Sequence, residues 1–107
     1  MRRFAVEYAP QPLDQLAAIE SYIAEASSPE AGERFVNEIV SHCDALESSP
    51  ERGTARDDLL LGLRTLGFRR RVLIAYTSDR KSQTVRILGI YYGGQDYEGR
   101  LVEQQSD

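Results

Sequence analysis

Phe68-Arg69-Arg70-Arg71-Val72-Leu73-Ile74-Ala75-Tyr76 and, after a short polar interval, Val85-Arg86-Ile87-Leu88-Gly89-Ile90-Tyr91-Tyr92 decide the fold. Both runs are dense in β-branched and aromatic residues, which suit a pleated, half-buried surface. Ser78-Asp79-Arg80-Lys81-Ser82 between them is a turn by composition, so residues 68–76 and 83–92 pair as a hairpin. Alternation along a strand then sorts the side chains. In the first run Phe68, Arg70, Val72, Ile74 and Tyr76 share one face, and Arg69, Arg71, Leu73 and Ala75 the other. In the second, Val85, Ile87, Gly89 and Tyr91 oppose Arg86, Leu88, Ile90 and Tyr92. Both faces are therefore apolar near the middle of the pair.

Working back towards the N-terminus, residues 59–66 read as a short strand or an irregular approach to one. Ser48-Ser49-Pro50-Glu51-Arg52-Gly53-Thr54 is a loop. Before it, Ala31, Phe35, Ile39, Cys43 and Leu46 make one stripe at helical spacing. Ser28 suits the N-cap, Pro29 the first helical position, and Glu30 and Glu33 the positive end of the helix dipole, so a helix spans about 29–48. An earlier stripe, Leu13, Leu16, Ile19 and Ile23, marks another helix from 13 to about 26, with Pro12 in its first turn. Phe4-Ala5-Val6-Glu7-Tyr8 alternates as a short strand. The order is β-α-α-β-β-β, an α+β domain in which an antiparallel helical hairpin packs on a small antiparallel sheet. Two helices cover one face only. The other, with Leu73, Ala75, Leu88 and Ile90, calls for a partner protein.

A length of 107 residues fits one domain, residues 1–107, with 98–107 as a polar tail that frays. There is no run of 18 apolar residues, and the N-terminus lacks the apolar core of a signal peptide, so a cytoplasmic protein without a membrane partner is expected. Net charge is −4, unevenly spread. Residues 1–58 carry 5 arginines against 12 acidic residues, −7, and residues 59–107 carry 8 basic against 5 acidic, +3. A chain that grips nucleic acid mainly through phosphates should be more basic, so sequence-specific DNA binding by this chain alone is not expected.

The lone Cys43 cannot form an internal disulfide and sits at core spacing. His42, the only histidine, points about 100° away from it on the helix and reads as a solvated residue. One His and one Cys give no metal-ligand spacing, no phosphate-binding glycine loop is present, and no cofactor is expected. Arg64 is open to two readings: an ion pair with Asp57 or Asp58, or a functional group. Tyr91, Tyr92 and Tyr97 either pack a sheet edge or stack on bases.

In order and spacing the chain resembles the RelE/ParE toxin superfamily, the toxin half of bacterial type II toxin–antitoxin pairs, with the ParE branch the closer. Asp14, Leu16, Ile19 and Tyr22-Ile23 match the first helix of that pattern. Pro29, Ala31, Phe35, Ile39, Leu46, Pro50 and Gly53 match the second helix and its loop. Gly62 and Arg64 match a "G.R" signature, and Tyr76 a strand-ending tyrosine. Val85, Ile87, Leu88, Ile90, Gly93, Gln95 and Asp96 match the last strand and its turn. Tyr92 and Gly94 stand where many relatives carry His and Arg.

The resemblance implies a toxin that binds and inhibits DNA gyrase and is neutralised by a cognate antitoxin laid across its grooves. Partner or target contacts then fall to Arg64, Arg69, Arg71, Leu73, Leu88, Ile90 and Tyr92. RelE-type relatives instead cleave mRNA in the ribosome. On that alternative Arg69 and Arg71 would offset phosphate charge and Tyr97 would handle a proton, but the set lacks a well-placed lysine, since Lys81 lies in a turn. An inactive relative acting as a binding module is the third reading.

Overall fold

The computed structural model describes residues 3–93. The elements are β1 (Ala5–Tyr8), α1 (Pro10–Ala26), α2 (Pro29–Asp44), a 3₁₀ turn (Ala45–Glu47), β2 (Thr54–Ala55), β3 (Leu63–Phe68), β4 (Val72–Asp79) and β5 (Thr84–Tyr92). The α+β arrangement expected from the sequence is the one observed. One five-stranded sheet runs β1-β5-β4-β3-β2. It is antiparallel except where β1 lies parallel to β5. The helical hairpin lies between β1 and the rest of the sheet in sequence.

Local chemistry sets the helix boundaries. Pro10 and Pro12 both fall in the first turn of α1, where a missing N–H costs nothing. The helix therefore starts earlier than the apolar stripe alone suggests. α2 begins as its sequence predicts: the Ala31 N–H donates to Ser28 Oγ at 3.1 Å, with Pro29 and Glu30 in the first turn. The helices cross closely at Gly32, where a Cβ would strike the backbone carbonyl of Glu20. Helix α2 gives way to the 3₁₀ turn after Asp44, which keeps Leu46 fully buried.

The main core lies between the helices and one face of the sheet. Leu16, Ile19, Ile39, Cys43 and Leu46 meet Val72, Ile74, Tyr76, Val85, Ile87 and Ile90. The other face holds a smaller cluster of Leu63, Ala75 and Tyr91, covered by Leu59, Leu60 and Leu88. Residues 56–62 thus supply much of the cover that the sequence pattern assigns to a partner. Leu73 and Leu88 stay half-buried on that face, and Leu61 stands exposed.

Two details of strand alternation differ from expectation, each for a local reason. Residues 69–71 are the β3–β4 turn, and Phe68 ends β3 instead of opening the next strand. In β5, Ala75 pairs with Gly89 while Tyr76 pairs with Ile87, leaving Leu88 as an extra residue. This bulge shifts the alternation by one. Ile90 and Tyr92 consequently face the helices, not the second face. The Ile90 side chain is 1% exposed and packs in the helix-facing core.

Candidate protein-interaction surfaces

The first surface is the tip of the β3–β4 hairpin. Phe68 pairs with Val72 across the turn, and the Arg71 N–H bonds the Phe68 carbonyl at 3.3 Å. Arg69 has φ 52° and Arg70 φ 62°. Two consecutive positive φ values are the mark of a tight hairpin turn whose usual residues are Asn-Gly or Gly-Gly. An L side chain in this region costs roughly 1–2 kcal/mol per residue. Arg69 recovers part of that: its guanidinium pairs with Glu38 of α2 at 3.0 Å and lies 5.4 Å from the Phe68 ring centroid. Arg70 and Arg71 are exposed, and their side chains have no hydrogen bond or ion pair among the described residues. The sequence reading placed Arg69 and Arg71 on the second sheet face; the turn removes them from it.

The second surface is a groove of about 900 Å³ between α1 and the end of β5. Strand β1 pairs with β5 only as far as Ile87, because Pro10 turns the chain into α1. Beyond that point the β1 side of β5 has no strand neighbour. The Gly93 N–H bonds the Arg71 carbonyl, so in the antiparallel ladder Ile90 and Tyr92 direct their backbone groups the opposite way, into the groove. Gln15 of α1 meets one of them: the Ile90 N–H donates to Gln15 Oε1 at 2.7 Å. A side-chain amide here takes the place of a strand carbonyl. Ile19, Tyr22 and Tyr92 give the groove apolar walls, and Asp14 gives it a negative charge. Tyr22 is 59% exposed and packs against Tyr92, which also meets Phe35 edge-on. Of the sequence-predicted contact residues Tyr92 and Ile90 lie here, Ile90 with its backbone N–H turned to Gln15. Nothing in the sequence marks Gln15, and Tyr22 enters the sequence reading only as part of the first-helix pattern.

Arg64 ties down a loop. It donates to the carbonyls of Glu51 and Gly53, and the buried Tyr76 hydroxyl accepts the Gly53 N–H at 2.9 Å. A Cβ at Gly53 would collide with the Thr65 carbonyl and with that hydroxyl. Arg64, Tyr76 and Gly53 therefore staple the loop before β2 onto the sheet. Asp58 pairs with Arg56, and Asp57 accepts the Gly62 N–H, so neither expected partner of Arg64 takes that role.

A cleft of about 620 Å³ between α2 and the hairpin holds His42 beside Phe68, with ring centroids 5.0 Å apart. His42 is half-buried and not the solvated residue that its sequence position suggests. Burial, and then the nearby Arg52, lower its pKa from the ordinary 6.5. Cys43 is fully buried, and burial pushes its thiol up to about 12, so it is a packing residue. Among the described residues no cluster of His, Cys, Asp or Glu is arranged to hold a metal ion. No helix there is long and apolar enough to cross a membrane. Of the residues a ribonuclease would need, Arg69 is occupied by Glu38, Arg71 stands at the tip, and Tyr97 lies outside the described residues.

Residues 6–97 match the model of the family described as ParE toxin of type II toxin–antitoxin system, parDE. No curated protein matches the chain by sequence. A solved structure, described as the chromosomal ParDE TA system from P. aeruginosa, superposes with a TM-score of 0.73 at 21% identity. The match covers 85% of this chain and 97% of that one, and it shows a shared fold.

Proposed function

Because the chain belongs to the ParE toxin family of type II toxin–antitoxin systems, we propose that it acts in the cytoplasm by binding and inhibiting DNA gyrase, without chemistry of its own. A cognate antitoxin neutralises it by seating in the groove between α1 and β5. The observation that carries the antitoxin site is the edge of β5 without a strand neighbour, met among the described residues only by the Gln15 side chain and walled by Tyr22, Ile19 and Tyr92. A strand edge next to apolar side chains is what an incoming segment needs to gain backbone hydrogen bonds and side-chain pockets together. Asp14 favours a basic residue on the incoming segment. The family assignment supports gyrase as the target.

The test is induction of the chain with and without the product of the adjoining reading frame. With the chain alone, growth stops, the DNA-damage response rises, and purified chain blocks gyrase supercoiling. With the neighbour, both proteins co-purify and growth resumes. Cut mRNA on ribosomes that disappears in Tyr97→Phe, a change costing on the order of 10²–10⁴ in rate to a proton-transferring tyrosine, would replace gyrase inhibition with ribonuclease action.

A further inference from the structure

The chain places arginine, not Asn or Gly, at both positive-φ positions of its tightest turn. A turn of this geometry is most stable with residues that have no stake in side-chain reach. At Arg70 no contact among the described residues offsets the cost of the positive φ, whereas Arg69 has such contacts. Arg69 is tied back to Glu38 and stacks on Phe68, which fixes the tip against α2. Arg70 and Arg71 then project with no partner among the described residues. We propose that the β3–β4 tip is the element that engages the target and that it does so by docking on an acidic patch of the target protein, Arg70 and Arg71 each gripping a carboxylate. This rests on the reading that the chain acts by binding a protein target.

Carboxylates suit this tip better than a nucleic-acid backbone. Planar guanidinium forks bind carboxylates in bidentate fashion, so two suffice for a focal contact. Affinity for a phosphate backbone grows with the number of phosphates neutralised, and two free arginines neutralise few. The wall beside the tip is α2, where Glu30 and Glu33 accompany Arg34 and Glu38 is paired with Arg69, so no continuous basic track extends from the tip for a polyanion to follow.

Arg70→Gly removes one fork and relieves the backbone, and Arg70→Gly/Arg71→Gln removes both. The double variant should melt several degrees higher than the natural chain (roughly 4–8 °C per kcal/mol gained in a domain of this size). It should bind DNA-free gyrase at least about 30-fold more weakly and lose growth arrest. Antitoxin affinity should stay within about threefold. A folded double variant that arrests growth as well as the natural chain overturns the proposal. So does a loss of binding to naked duplex DNA equal to the loss on gyrase, which would mean phosphate recognition. Failure of the gyrase reading shows elsewhere, as a natural chain that arrests growth yet does not bind gyrase.

Discussion

Tyr76 carries a hydroxyl into a position with no solvent exposure, and the Gly53 N–H is its partner. Tyr76→Phe leaves that donor without an acceptor, so a loss of about 1–3 kcal/mol is expected, read as a lower urea midpoint with an unchanged slope. Antitoxin binding should be unaffected at saturating partner, since the loop lies away from the groove. His42 gives the second residue-scale expectation. Its folded pKa lies below the unfolded 6.5, so below pH 6.5 the unfolded chain binds the extra proton. Its contribution is fully present above pH 6.5 and is lost as pH falls towards the folded value. Urea midpoints measured from pH 7.5 to 5 should therefore decline more steeply for the natural chain than for His42→Gln. Glu51 and Asp58 act in a lower window. Arg80 beside Glu51 and Arg56 beside Asp58 hold these carboxyls below their ordinary range, so they add their loss only in more acid solution.

At the scale of elements, the bulge at Leu88 makes a sharp contrast between neighbours. Ile90 sits in the helix-facing core and Leu88 at the half-buried margin of the second cluster. Ile90→Ala should cost about 2–5 kcal/mol and Leu88→Ala clearly less, with thermal or urea unfolding as the measure. Unbroken alternation predicts equal costs, because it places both residues on one face. The same bulge shows what a single sequence can reveal. Helix α2 was readable because Ser28, Pro29 and Glu30 each have a stated job at a helix start. Strand β5 is readable because Thr84, Val85, Ile87, Ile90, Tyr91 and Tyr92, all of β-forming type, stand within nine residues. The bulge carries no residue-type signal: Leu88 packs like any strand leucine. The arginine turn was unreadable for the opposite reason, since arginine is not a turn residue and its neighbours read as strand. Strand β2, with two exposed residues, exists only through its pairing with Arg64 and Thr65. Gln15 reached the groove only through the fold, because its partner is distant in sequence.

For the whole molecule, the two proposed surfaces share one end of the sheet. The Gly93 N–H bonds the Arg71 carbonyl, which joins the rim of the groove directly to the arginine turn. A segment seated on the free edge of β5 therefore lies one strand away from Arg71, on the same end of the sheet. On the function and tip contact proposed above, neutralisation would need no conformational change in the toxin: the antitoxin would block the approach of the target by occupying adjacent space. Binding of antitoxin and target should be mutually exclusive, and by linkage each should weaken the other to the same degree. Immobilised chain saturated with antitoxin should capture no gyrase, and a groove variant should separate the two activities. Tyr22→Asp puts a second negative charge beside Asp14 and removes the ring that packs on Tyr92. Tyr22 is mostly exposed, so the change should be mild for folding, while antitoxin affinity should fall by at least about tenfold, mostly through faster dissociation. Gyrase inhibition should persist, giving a toxin that its partner no longer controls. A ternary complex of antitoxin, chain and gyrase at stoichiometric ratio would show instead that the two surfaces act independently and that neutralisation works by another route.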